Sequence, residues 1–77
     1  MRGKAVEDVY ALLGQRIRHL REMNGVTQQQ LALIVGQSRP SLVNIEQGKQ
    51  RIMIHDLQLY ADALRLPVSK FLRGIIL

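Results

Sequence analysis

The chain contains no cysteine, which rules out a disulfide framework and any thiolate metal site; it fits a reducing cytoplasm and leaves the fold to packing. Aromatic residues make up only 4% of a chain that is 47% hydrophobic, so Leu, Ile, Val and Ala must build the core. That composition suits helix packed on helix better than a β sandwich. Long apolar runs are missing as well. Residues 1–4 are basic and the VEDVYALLGQR that follows is charged, so this stretch reads neither as a signal peptide nor as a membrane span. The basic residues are not gathered opposite one apolar stripe, as a membrane-surface helix requires. Clusters of acids or histidines at metal-ligand spacing are also lacking: His19 and His55 stand apart, and His55-Asp56 has no nucleophile or glycine turn beside it. The expectation is a protein without catalysis, cofactor or small-molecule substrate.

What the chain does have is positive charge. Eleven Lys and Arg against six Asp and Glu give a formal +5 and point to a polyanionic partner. The distribution says more than the sum. Between residues 26 and 51 stand Arg39, Lys49 and Arg51, with Glu46 the single acid, and internal pairing of that acid would leave the surface there almost purely cationic. Seventy-seven residues make one domain, 1–77, with one modest core, below the size at which a monomer is comfortably stable without close packing or a partner subunit.

The pattern along the chain predicts five helices and no strand. The first runs from about Val6 to Asn24, with Val9, Leu13, Ile17 and Leu20 at helical spacing and Gly25 as its stop. Gly14 inside it costs about 1 kcal/mol relative to Ala, so the part before it is expected to fray or form a separate turn. Arg16, Arg18 and Arg21 fall mostly on the solvent side. The second helix has a complete start signal: Thr27 as cap, Gln30 reaching back to close a capping box, and Val26 with Leu31 as hydrophobic staple. Leu31, Ala32, Ile34 and Val35 supply its apolar face, and Gly36 ends it in a positive-φ turn after about two turns. Ser38 caps the third helix, with Pro40 in its first turn, where a missing N–H does no harm. Leu42 and Ile45 face inward, while Arg39, Ser41, Val43 and Asn44 project outward or sideways. A fourth helix spans Ile54–Leu64 through Leu57, Ala61 and Leu64, and Pro67 opens a short fifth through Phe71 and Leu72.

Ala32, Gly36, Leu42 and Ile45, flanked by Thr27-Gln28 and by Glu46-Gln47-Gly48-Lys49, resemble the helix-turn-helix of the lambda repressor and Cro-like family of bacterial and phage regulators, also called the xenobiotic-response-element family. The likeness runs from about Leu13 to Leu72, with the motif itself at residues 27–47. It implies an all-α, five-helix domain and a transcriptional regulator whose partner is double-stranded DNA. It also implies that residues at the start of the third helix meet base edges: Gln37, Ser38, Arg39 and Pro40, with Asn44 one turn later. The fork of Arg39 suits guanine O6 and N7, and the carboxamide of Asn44 suits adenine N6 and N7. Pro40 departs from the polar residue common in relatives and offers only an apolar contact. Phosphate contacts are implied for Gln28, Ser41, Gln47, Lys49, Gln50, Arg51 and Arg21. Arg21 and Glu46 match a pair that relatives often keep between the first and third helices; in an exposed form it would be worth about 0 to 1 kcal/mol and act by position.

Two further departures concern stability. Ile52 and Met53 leave the fourth helix without a side-chain cap, and Arg65 stands where a helix-ending Gly is usual, at a cost of about 1 kcal/mol in a left-handed conformation. The end of the chain, FLRGIIL, is apolar: Phe71 and Leu72 can close the core, but Ile75, Ile76 and Leu77 lack an obvious internal place. Phe71, Ile75, Ile76 and Leu77 are therefore expected at a homodimer interface, which would set two recognition helices about 34 Å apart on a near-palindromic operator. The alternatives are a tail folded back on its own core or a chain cut from a longer protein whose second domain is missing. A competing function is a protein-interaction module or antitoxin, with the same fold and the apolar tail binding a partner protein.

Overall fold

In the computed structural model, which describes the backbone of residues 2–75 and the side chains of residues 9–75, the first element is a single long helix. This helix, α1 (Arg2–Met23), runs through Gly14 without a break. It is followed by α2 (Gln28–Val35), α3 (Arg39–Glu46), α4 (Ile54–Leu64) and α5 (Val68–Leu72), as the periodicity predicts. Ile76 and Leu77, expected at a dimer interface, lie outside the described residues.

Leu13, Ile17 and Leu20 point one stripe of α1 into the core, where it meets α3, α4 and α5. The glycine in its middle is there for contact. A Cβ at Gly14 would fall well inside van der Waals distance of the Ile45 carbonyl oxygen and 2.9 Å from that of Glu46. One turn earlier, Ala11 touches the loop after α3, where a Cβ at Gly48 would lie 2.8 Å from the Ala11 Cα. The two backbones thus cross almost without side chains between them. This replaces the expectation of fraying at Gly14: tertiary contact outweighs its low helix propensity.

Each of the first four helices ends in the same two-bond turn, closed by Val26 to Arg21, Gln37 to Ala32, Lys49 to Asn44 and Leu66 to Ala61 (N–H to carbonyl oxygen, 2.8 to 3.1 Å). The left-handed residue is Gly in three of them and Arg65, at φ 57°, in the fourth. The expected strain at Arg65 is therefore present. Met53 caps α4 without a side-chain hydrogen bond, also as read.

Three further sequence expectations change. Ile34, assigned to the apolar face of α2, is 62% exposed; at about 100° per residue it lies about 60° beyond Leu31, outside the arc that Leu31, Val35 and Ala32 span. Arg16, placed on the solvent side, is half-buried and donates to the Lys70 and Arg73 carbonyl oxygens at 2.9 and 3.0 Å, fastening the end of α5 to α1. Phe71, proposed for the dimer surface, is fully buried in the core of its own chain. Among the described residues, no helix is long and apolar enough to cross a membrane.

Gly14→Ala separates the two views of that position. Helix propensity alone predicts a gain of about 1 kcal/mol, whereas overpacking against fixed carbonyls predicts a loss of about 1 to 3 kcal/mol. The expected outcome in urea denaturation is the loss; a variant more stable than the parent would mean that α1 and α3 do not cross this closely.

Candidate nucleic-acid interface

The start of α2 is built as its sequence reads. Thr27 Oγ1 accepts from the Gln30 amide at 3.1 Å, and Gln30 Oε1 accepts from the Thr27 amide at 2.9 Å. The turn at Gly36 (φ 74°) then reverses the chain into α3, where Ser38 Oγ accepts from the Ser41 amide at 3.2 Å and Pro40 occupies the first turn. Leu42 and Ile45 are buried to 0% and 2% exposure and anchor the helix from below. Ser38, Arg39, Pro40 and Asn44 are exposed above it, with Ser41 and Val43 half-buried at the flanks. Gln37, also assigned to base contact, is half-buried in the turn just before α3.

A buried ion pair fixes the end of α3 against α1. Arg21 Nε donates to Glu46 Oε2 at 2.7 Å and Nη2 to Oε1 at 3.0 Å, a two-pronged contact between α1 and the end of α3. The third prong, Nη1, donates to the Val26 carbonyl oxygen at 2.9 Å. Gln28 Nε2 adds a donor to Glu46 Oε1 at 3.1 Å, so the carboxylate ties α1, α2 and α3 together. Arg21 and Glu46 are 6% and 4% exposed. The exposed pair worth about 0 to 1 kcal/mol, and a solvent-side Arg21, are thus corrected. Both charges are out of water, and removing one partner strands the other. Arg21 and Gln28, assigned to phosphate contact, each direct hydrogen bonds inward. Among the described residues every buried side-chain nitrogen and oxygen has a partner.

The pairing also shapes the electrostatics of the face. Arg39, Lys49 and Arg51 are exposed, while the single acid of residues 26–51 is buried against a guanidinium. In the loop after α3, Gln47, Lys49, Gln50 and Arg51 are exposed together. Ser41 Oγ and the Gln50 carboxamide are joined at 3.2 Å, and the Arg51 guanidinium lies 5.4 Å from the centre of the Tyr10 ring. The sequence reading did not foresee the Tyr10 contact. Nor did it foresee Tyr60, which is fully buried on α4 and donates its hydroxyl to Gln37 Oε1 at 2.9 Å. A signal was present in the spacing of Leu57, Tyr60, Ala61 and Leu64, which puts one polar tip on an otherwise apolar stripe.

With this geometry in hand, residues 17–71 match the model of the Helix-turn-helix family HTH_3. The chain belongs to the Cro/C1-type helix-turn-helix family. This helix-turn-helix protein is 31% identical over 65 residues to the control protein C.SmaI of Serratia marcescens, covering 84% of this chain and 77% of that one. It is 30% identical over 70 residues to the HTH-type transcriptional regulator RP497 of Rickettsia prowazekii (strain Madrid E). That match takes in 91% of this chain but 54% of the relative, so the chain spans about half its length. Among solved structures, the restriction-modification controller protein C.AhdI from Aeromonas hydrophila superposes with a TM-score of 0.77 at 28% identity, covering 83% of this chain and 96% of that one. The clp gene regulator ClgR from C. glutamicum gives 0.82 at 28% identity and covers 84% of each chain. The all-α, five-helix fold is the one the resemblance implies.

Glu46→Ala is expected to cost about 3 to 5 kcal/mol by leaving Arg21 buried without its partner, a large share of what a domain this size has. The double variant Arg21→Met with Glu46→Leu should recover most of that loss. Urea midpoints of the three proteins check it: a Glu46→Ala cost below about 1 kcal/mol would put the pair in solvent instead.

Proposed function

We propose that the chain is a sequence-specific transcriptional regulator that lays α3 in the DNA major groove and binds as a homodimer to a near-palindromic operator. The observation that carries this reading is the outward face of α3: Arg39, Pro40 and Asn44 stand exposed on a helix held by Leu42, Ile45 and the Glu46 pair, with no exposed acid from residue 26 to 51. Family membership and the controller proteins among its relatives support it.

In this reading Arg39 reads guanine through its planar fork, Asn44 addresses adenine, and Ser38 and Pro40 pack at the entry to the groove. Lys49 and Arg51, with Gln47, Gln50 and Ser41 beside them, hold phosphates on the flanking strand, where contacts fix register without reading sequence. Arg21 and Gln28 act through Glu46, by setting the tilt of α3. The dimer would form on the side of α5, where Val68, Leu72 and Ile75 are half-buried and an apolar groove runs between α1, α4 and α5 past Tyr10, Met53 and Ile54. Two-fold symmetry would then repeat α3 one helical turn along the duplex. By analogy with the control protein and the restriction-modification controller it resembles, the regulated genes include a restriction-modification system. The class assigned is a regulator without catalysis, acting in the cytoplasm.

Arg39→Ala is expected to lower affinity for the preferred site by about 1 to 3 kcal/mol and flatten the preference at one base pair. Lys49→Ala should weaken all sequences alike and reduce the salt slope by about one. Titrations against specific and random duplex at several salt concentrations measure both, and equal effects of the two variants would remove base reading from Arg39. A salt-independent interaction would favour the protein-interaction module. Light scattering on the free chain tests the dimer: concentration-dependent association is expected, and a strictly monomeric solution removes it.

A further inference from the structure

Gln37 stands one residue before the Ser38 cap, half-exposed at the entry of α3. Its backbone is fixed: the preceding Gly36 is left-handed, and the Gln37 amide donates to the Ala32 carbonyl oxygen at 2.9 Å. Its side chain is fixed from the other direction by the Tyr60 hydroxyl of α4, at 2.9 Å from Oε1. A carboxamide has one accepting end and one donating end, and a free glutamine presents either by rotating about its last bond.

We propose that Tyr60 is a specificity-determining residue that acts through Gln37: by occupying the carbonyl oxygen from the protein side, it turns the amide nitrogen outward and makes Gln37 a donor toward DNA. The inference rests on the major-groove reading of α3. Tyr60 is fully buried, and its hydroxyl hydrogen has Gln37 Oε1 as its acceptor. Reversing the carboxamide would set the amide nitrogen against that hydroxyl and leave a buried hydrogen without an acceptor. Burial, together with the nearby carboxylates of Asp56 and Glu46, raises the Tyr60 pKa well above the ordinary tyrosine value, which keeps the hydroxyl protonated.

The chemical consequence is specific. A free glutamine can pair with adenine in bidentate fashion, giving to N7 and accepting from N6; one whose oxygen is turned inward to Tyr60 keeps only the donor half of that pair. Gln37 is left to donate to acceptors, guanine O6 and N7, thymine O4, or adenine N7 without the second bond to N6. It discriminates against cytosine, whose major-groove edge offers the N4 donor.

The test is selection of bound sites from a random DNA pool by the full chain and three variants. Gln37→Ala should lose preference at one base position and so identify it. Tyr60→Phe keeps the ring in the core but frees the carboxamide. At that same position it should strengthen adenine and admit cytosine, with discrimination relaxed about two- to tenfold, the worth of one hydrogen bond, while the positions read by Arg39 and Asn44 and the affinity for random duplex stay as they are. Gln37→Glu leaves the core untouched and presents only acceptors, so it should move the preference toward cytosine, and it serves even if Tyr60→Phe folds poorly. A Tyr60→Phe protein that folds and selects the parental sites, or a Gln37→Glu protein that keeps the parental preference, overturns the proposal. A parent chain that selects no sequence at all overturns the major-groove reading itself, and is told apart by the absence of any preference at the Arg39 position.

Discussion

The Glu46 carboxylate is the constraint on which this structure turns. It closes α3 at its last residue and receives three donors, two from Arg21 on α1 and one from Gln28 on α2. A carboxylate buried to this extent is tolerated only because its oxygens meet paired, directional donors, and the guanidinium is tolerated for the reciprocal reason. Hydrophobic burial at Leu42 and Ile45 decides that α3 docks on the body. It is non-directional, and a helix anchored by two aliphatic side chains can still roll. The fork of Arg21 supplies the missing direction, because both N–H groups reach both oxygens only at one relative placement of α1 and α3.

The same crossing explains two glycines. Gly14 and Gly48 lie where α1 passes the end of α3, and their missing side chains bring the helices close enough for Arg21 to reach Glu46. Near the other end of the motif, Tyr60 joins α4 to Gln37 at the turn between α2 and α3. α3 is therefore gripped at both ends by polar contacts from helices that do not belong to the motif, and along its length by the core. Rigid placement of this kind is what a protein needs to read base edges, since a bidentate contact tolerates little angular error.

Burying Glu46 also clears its charge from the outer surface, and the polar network that orients the helix thereby leaves a cationic face for a polyanion. Arg21 contributes to that face only indirectly. Its charge is matched by Glu46, while Arg39, Lys49 and Arg51 remain exposed. On the side of α5, Arg16 ties the carbonyl oxygens of Lys70 and Arg73 to α1, and with Phe71 buried the short fifth helix is part of the core.

By itself the sequence determined helices α2 to α5, their caps and their stops. The capping box at Thr27, the Ser38 cap, the turn at Gly36, the strained Arg65 and the uncapped α4 all follow from interactions within about five residues, and such rules act wherever those residues occur. It also determined which side of α3 would face outward, because Leu42 and Ile45 mark the other. Only the tertiary structure decided that Arg21 and Glu46 are buried, that Gly14 is a point of contact, that Ile34 stays in solvent, and that Gln37 is held by Tyr60. Those partners are 23 to 32 residues apart where they are paired, and the chain between them carries no local mark of the pairing. Whether two such groups meet depends on how whole helices cross, and that crossing is set by the collective packing of the core.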